Sequence, residues 1–391
     1  MARKRSKVGI VVILITIGLI LAHILVPPYL EKSMNAVYQS ELVSYSDTTR
    51  EFHDSLTIMD WHADTTLWSR DLLEQSDYGH VDVPRMLSGN VAIQMFTTVT
   101  KVPKGLNYEA NSADATDQIT QLAIVQAWPL ATWNSLLERA LYQARRIEKA
   151  AQDSDELYLI KTKQDLELVL NWRAQGRDVV GALIGTEGSH PVEGSTINVQ
   201  ELHKAGFRMM SLHHFFDNRL GGSLHGLTED GLTDFGRAMV AEIEYYGMIL
   251  DVSHSSPKVV QDVLEITTRP VIVSHTGVYG HCPRKRNLSD ELLLEIASRG
   301  GLIAIGFWEE AVCGTTVADI ASAVHYAVDL LGAEHVALGS DFDGAVTTPI
   351  DSSQMIALTQ AMLDDGLSKA EIAQVMGANS INFLRQYLPQ N

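Results

Sequence analysis

Eight short apolar stretches constrain this chain more than any other feature. Each runs into a loop with polar or charged residues at its mouth and then into a helical pattern. They fall at residues 57–63, 91–97, 179–186, 207–213, 247–253, 270–275, 301–307 and 335–340. All are strand-length, and each is separated from the next by enough chain for a helix. Helix signals fill the gaps. Ser256-Pro257 sets a capping residue before a proline at the first helical position. Ser368-x-x-Glu371 is a capping box opening the last helix. Gly247 and Gly300-Gly301 sit where helices should stop before a strand. Eight such units predict an α/β fold, a (β/α)8 TIM-type barrel; a doubly wound open sheet competes and needs no particular strand count. The longest gap, residues 98–178, predicts one helix over about 112–152 and a lid-like loop.

Ahead of this body, residues 3–7 form a basic cap, and residues 8–26 are apolar except for Thr16, His23 and two glycines, with Pro27-Pro28 ending the run. Nineteen residues approach the roughly 20 needed to cross hydrocarbon as a helix. Basic residues before the run and almost none just after it place the N-terminus in the cytoplasm. A cleaved signal peptide is the alternative, but the run is long for one and Leu-Val-Pro-Pro-Tyr is a poor cleavage site. The reading is an uncleaved single-pass anchor in the inner or plasma membrane, with the body of the chain extracytoplasmic, in the periplasm if the cell is Gram-negative. The chain then divides into a cytoplasmic tip and transmembrane anchor (1–28), a polar stalk (29–55) and one barrel domain (56–391). Beyond residue 32 the chain carries 25 bases against 47 acids, a charge of −22, which excludes nucleic acid as a partner. Cys282 and Cys313 admit one bridge in an oxidising compartment, or two ordinary buried thiols.

Barrel enzymes carry their reacting groups at the C-terminal ends of the strands. Here the first strand ends in His62-Ala63-Asp64, whose two donors project from one face. The third ends in Glu187, the fourth in His213-His214, the fifth in Asp251-Val252-Ser253-His254, the sixth in Ser274-His275, and the eighth in Ser340-Asp341-Phe342-Asp343. His62, Asp64, Glu187, His254 and His275 are more ligands than a lone catalytic zinc takes. They suit two metals: His62 and Asp64 on one, His254 and His275 on the other, and Glu187 between them. No lysine ends a strand where a carbamylated bridge would need one. Asp341, ahead of Asp343, is the candidate general base and acid. Strand alternation sends His213 and His214 to opposite sides and leaves the choice between them open. His53, His80, His203, His225, His281, His325 and His335 fall in helices or loops and read as structural. One arginine of Cys282-Pro-Arg-Lys-Arg-Asn287 is positioned to clamp a carboxylate. Gln94-Met95-Phe96 and Phe307-Trp308-Glu309 are candidates to shape side-chain pockets.

These residues, with Asp60-Trp61-His62-Ala63-Asp64, Glu187-Gly188, Leu212-His213-His214-Phe215-Phe216-Asp217-Asn218, Arg286-Asn287 and Gly339-Ser340-Asp341-Phe342-Asp343-Gly344, occur in one order. Across about residues 50–390 the chain resembles the membrane (renal-type) dipeptidases of the amidohydrolase superfamily. The resemblance implies a dinuclear zinc barrel, with two Zn2+ per chain, cleaving small dipeptides by a metal-bridging hydroxide and tolerating a D-residue on the C-terminal side. It implies that Asp341 shuttles the proton, that His214 rather than His213 contacts substrate, and that Arg286 grips the free carboxylate. It admits a homodimer. The animal members differ in having a cleavable signal and a lipid-attached C-terminus, so here attachment falls to residues 8–26. Two alternatives stand beside it: a related hydrolase of N-acyl-amino acids, lactones or cyclic amides, and a non-catalytic membrane-tethered barrel, against which stands a complete ligand set.

Overall fold

A computed structural model of the protein describes residues 2–38 and 44–390, with the side chains of residues 2–12, 15 and 19 outside the description. Nine parallel strands form one sheet: β1 (Ile58–Ala63), β2 (Val91–Val99), β3 (Leu157–Leu159), β4 (Val180–Glu187), β5 (Phe207–Ser211), β6 (Ile249–Asp251), β7 (Ile272–Thr276), β8 (Leu302–Ile305) and β9 (Val336–Leu338). β2 pairs with β4 over Ile93–Val99, and β9 pairs with β1, so eight of the nine close into a barrel. These eight are the eight expected from the sequence, and the open-sheet alternative falls. The ninth, β3, was not expected. It runs beside the start of β4, at Leu157↔Val180, and stands outside the closed ring.

Local chemistry sets the ends of the elements. Ser256 Oγ accepts from Val259 N, and Pro257 opens the helix Pro257–Ile266. The Ser368–Glu371 box is closed in both directions. Gly247 (φ 67°) and Gly300 (φ 80°) take the left-handed turn that stops a helix before β6 and before β8. The long gap differs from expectation. It holds three α-helices, Gln118–Val125, Leu136–Asp153 and Lys163–Ala174, and the single helix expected over about 112–152 is split in two because Ala127 turns left-handed (φ 55°), Pro129 follows, and Ser135 caps a fresh start.

The N-terminal helix, Ala2–Met34, also differs, continuing through Pro27 and Pro28. Each proline removes one helical hydrogen bond. The last turn is nevertheless held from outside: Glu31 (0% exposed) pairs with Arg70, and Asn35 Oδ1 accepts from Ala345 N at 2.8 Å. Beyond it, Thr348 N donates to Ala36 O and Tyr38 N to Thr348 O. Among the described residues no helix is long and apolar enough to cross a membrane. The expected 8–26 span includes residues whose side chains are not described.

Candidate active site

The C-terminal ends of the strands converge as the barrel rule requires. Glu187, closing β4, is the hub. Its Oε1 lies 3.6 Å from His62 Nε2, 3.2 Å from His254 Nε2 and 3.5 Å from His275 Nε2, and its Oε2 lies 3.2 Å from His214 Nε2. His62 Nε2 is also 3.6 Å from Asp64 Oδ1 and 3.9 Å from Asp341 Oδ1. Three overlapping donor groups result: His62–Glu187–His275, Glu187–His214–His254, and His62–Asp64–Asp341. Arg286, 1% exposed, donates from Nη2 to His275 O at 2.9 Å, lies 5.2 Å from the Trp308 ring centroid, and lines the same cavity as Asp64, Glu187, His214, His254 and Asp341. All eight predicted site residues therefore meet in one place. The His213/His214 ambiguity resolves too. His214 faces the cavity, whereas His213 turns away to Ser255 Oγ at 3.1 Å.

Electrostatics make this cluster short of positive charge. Burial, reinforced by Asp64 and Asp341, pushes Glu187 well above the usual carboxylate range. Burial, with Asp64 adding and His62 opposing, pushes Asp341 up to about 7. Burial works downward on His62, but Asp64 and Asp341 outweigh it and hold the ring above its ordinary value. His254 and His275 fall well below theirs through burial and the Arg286 charge, so both are neutral imidazoles with a free lone pair. Their Nε2 atoms stand 2.9 Å apart, and His62 Nε2 has no hydrogen-bond partner at all. Unprotonated nitrogens and mutually repelling carboxylates aimed at a common centre fit metal cations, which satisfy both at once.

A supporting layer fixes the tautomers. Ser274 Oγ lies 2.7 Å from Asp251 Oδ2, 3.2 Å from His62 Nδ1 and 2.9 Å from His275 Nδ1. Its one proton satisfies Asp251, and its two lone pairs accept from the two Nδ1–H groups. The neutral His275 ring is thereby left with an unprotonated Nε2 facing Glu187, and His62, whose carboxylate neighbours favour its charged form, would present its Nε2 in the same direction once a cation takes the place of that proton. Thr97 Oγ1 donates to Asp64 Oδ1 at 2.6 Å.

The loop bearing Asp341 is held as firmly. Asp341, Asp343 and Ala345 all sit at φ near 60°, a costly conformation for non-glycine residues. Asp60 receives Ser340 N at 2.8 Å and Ser340 Oγ at 2.6 Å. Asp343, fully buried, receives Arg70 Nη2 (2.7 Å), His80 N (2.7 Å) and Thr65 Oγ1 (2.8 Å). Gly344 is required, since a Cβ there would stand 2.0 Å from Asp341 Oδ1. Asp343 is thus a brace, and Asp341 is the carboxylate open to the cavity.

Ser274, Thr97, Asp60, Asp251 and Arg70 received no role from the sequence. Only the adjacency of Ser274 to His275 and the Asp251-x-x-His254 spacing hinted at two of them. Gln94 proves to be a brace as well, donating to Asp60 Oδ2 at 2.8 Å, whereas Trp308 underlies Arg286. The two cysteines are bridged, with Cα atoms 5.4 Å apart, tying the Arg286 loop to the turn after β8. Asn287 adds to that tie by donating to Cys282 O and Ala311 O.

Residues 46–388 match the family model described as membrane dipeptidase, peptidase family M19. Among curated relatives, the dipeptidase aclJ of Aspergillus oryzae is 28% identical over 358 residues, covering 84% of this chain and 77% of that protein. The dipeptidase tcpJ of Claviceps purpurea is 29% identical over 324 residues, covering 79% and 69%. Among solved structures, the dipeptidase AC, a metallopeptidase of family M19, superposes with a TM-score of 0.68 at 22% identity, covering 85% of this chain and 99% of that one. A metallopeptidase from Rhodobacter sphaeroides, liganded with a phosphinate mimic of the dipeptide L-Ala-D-Ala, superposes with a TM-score of 0.66 at 23% identity, with the same coverage.

Proposed function

The chain belongs to the membrane dipeptidase family, peptidase family M19, and on that premise we propose that this metallo-dipeptidase is a membrane-tethered, dizinc enzyme that accepts a D-residue on the C-terminal side of its substrate. The observation that carries the reading is the overlap of three metal-capable groups, two sharing Glu187 and the third joined to them through His62, beside a cavity lined by Arg286, His214 and Asp341. His62 and Asp64 would hold one ion, His254 and His275 the other, and Glu187 would be shared. Bound there, such a pair polarises a carbonyl and makes water nucleophilic near neutral pH.

The chain's own residues supply the rest. Arg286, desolvated and braced by Trp308 and the His275 carbonyl, pairs with the free carboxylate of the dipeptide and sets its orientation. His214, which burial brings down to about 4, is a neutral imidazole beside Glu187 and serves as a hydrogen-bond donor to the oxygen that becomes anionic. Asp341, raised to about 7, takes the proton from the attacking water and returns it to the leaving amine, a role that needs a carboxylate titrating near the working pH. The tether is residues 8–26, whose composition suits a membrane span. The mimic of L-Ala-D-Ala held by the Rhodobacter sphaeroides protein prompts the D-residue arm of the test.

The test is hydrolysis of matched L,L- and L,D-dipeptides beside their N-acetylated and C-amidated forms and an N-acyl-amino acid. Cleavage of both free dipeptide series with loss on either blocked form supports the proposal. Preference for the N-acyl substrate assigns the site to the alternative hydrolase class.

A further inference from the structure

The last turn of the N-terminal helix and the residue just past it hold two pairs at helical spacing, Leu30 with Met34 and Glu31 with Asn35, whose N–H still donates to Glu31 O at 2.8 Å. Such i, i+4 pairs share a face. The second pair anchors: Glu31 is fully buried against Arg70, which also holds Asp343, and Asn35 binds the backbone of Ala345 in the Asp341 loop. The first pair is set beside it and lines the cavity that contains Asp64, Glu187, Arg286 and Asp341. Leu30 packs there with Leu67, Trp68, Val99 and Ile119 as one apolar cluster.

The cavity measures about 680 Å³, in the middle of the range of about 300–1,000 Å³ seen for small-molecule sites. Part of its lining is ionic, with Glu187 and Arg286 among its members. Another part is apolar, made of Leu30, Met34, Val102, Leu106, Leu122 and Val346, which offer a dipeptide backbone no hydrogen bond from their side chains. The family match begins at residue 46, so Leu30 and Met34 lie outside it.

We propose that the final turn of the N-terminal helix is a wall of the active site, forming an apolar side-chain subsite, and that the preferred substrates are dipeptides bearing at least one long aliphatic or aromatic side chain. This rests on the dipeptidase reading and narrows its substrate class. Burying such a side chain against Leu30 and Met34 removes apolar surface from water, which small side chains cannot do.

The experiment measures kcat and KM of the full-length protein in detergent for Leu-Leu, Phe-Ala, Ala-Phe and Ala-Ala, in wild type, Leu30→Ala, Met34→Ala, Met34→Glu and Met34→Leu. Wild type should prefer the large apolar substrates over Ala-Ala by about tenfold or more in kcat/KM, and truncation should lower that ratio about fivefold or more, chiefly through KM. Met34→Glu should lower the ratio further, and Met34→Leu should keep it. Met34 is 43% exposed, so its variants test the wall even where Leu30→Ala fails to fold. A ratio within twofold of wild type in active Met34→Ala and Met34→Glu overturns the subsite while leaving the dipeptidase reading intact. Wild-type protein that cleaves none of the four overturns the dipeptidase reading, and the subsite with it.

Discussion

Ser274→Ala isolates the claim that a hydroxyl, itself no metal ligand, prepares two of the ligands. Ser274 Oγ stands 2.7 Å from Asp251 Oδ2 and within 3.2 Å of the Nδ1 atoms of both His62 and His275. Deleting it strips the tautomer lock from both imidazoles and one partner from Asp251, which keeps Ser253 N at 3.0 Å and Ser274 N at 2.9 Å. Losing an outer partner of this kind weakens metal binding about 10- to 100-fold. At about 1.4 kcal/mol per decade that is about 1.4–2.8 kcal/mol, and the upper half is expected because two ligands are released together. Competition against a chromophoric chelator reads the affinity, while urea unfolding of the metal-free protein reads stability separately. The stability cost should stay within about 1–3 kcal/mol, that of leaving buried polar groups under-satisfied. Ser253→Ala removes a hydroxyl that touches only Ser274 Oγ and His275 N among these groups, and should weaken binding less. A folded Ser274→Ala protein whose metal affinity lies within twofold of wild type would show that the hydroxyl does not prepare the ligands.

Further outcomes follow from the same geometry. Asp341→Asn should keep its metal content and lose about 10²–10⁴-fold in kcat; full metal with normal turnover would remove Asp341 from the chemistry. Arg286→Ala should cost free dipeptides about 30-fold or more in kcat/KM, the loss of a buried charge pair, and C-amidated dipeptides far less; equal losses on the two would reject the clamp. Asp343, although burial works against it, is held below the ordinary carboxylate range by Arg70 and His80. It therefore adds stability above about pH 4 that is lost as pH falls through its lower folded value. Urea unfolding of wild type and Asp343→Asn should show a stability gap that narrows below about pH 4; a constant gap would contradict the brace. Replacing both Cys282 and Cys313 by Ser opens a link between residues 31 apart in sequence and should cost about 3–4 kcal/mol in the same assay, with no change expected if the thiols contribute nothing.

Much of the barrel was legible because each strand is an apolar run bounded by a cap or a glycine, signals that need no knowledge of distant chain. β3 was not: three residues beside the start of β4 leave too short a pattern. Nor was the break near Ala127, which depends on one left-handed residue. Pro27-Pro28 read as a stop because the residues that carry the helix past them, Glu31 and Asn35, are anchored by Arg70 and Ala345, far along the chain. The site divides the same way. His62, Asp64, Glu187, His254, His275 and Asp341 announced themselves by residue type at strand ends. Asp60, Ser274 and Thr97 act through hydrogen bonds across 23 to 280 residues of sequence, and no local pattern separates them from ordinary buried polar groups.

If donors from separate strands of one barrel hold two metal ions that share Glu187, metal quantification on the purified, zinc-reconstituted protein, repeated on Glu187→Ala, reads it out. Wild type should hold two ions per chain, with occupancy falling below one per chain when Glu187 is removed. A wild-type protein saturating at a single ion, or a Glu187→Ala protein still holding two, would contradict it.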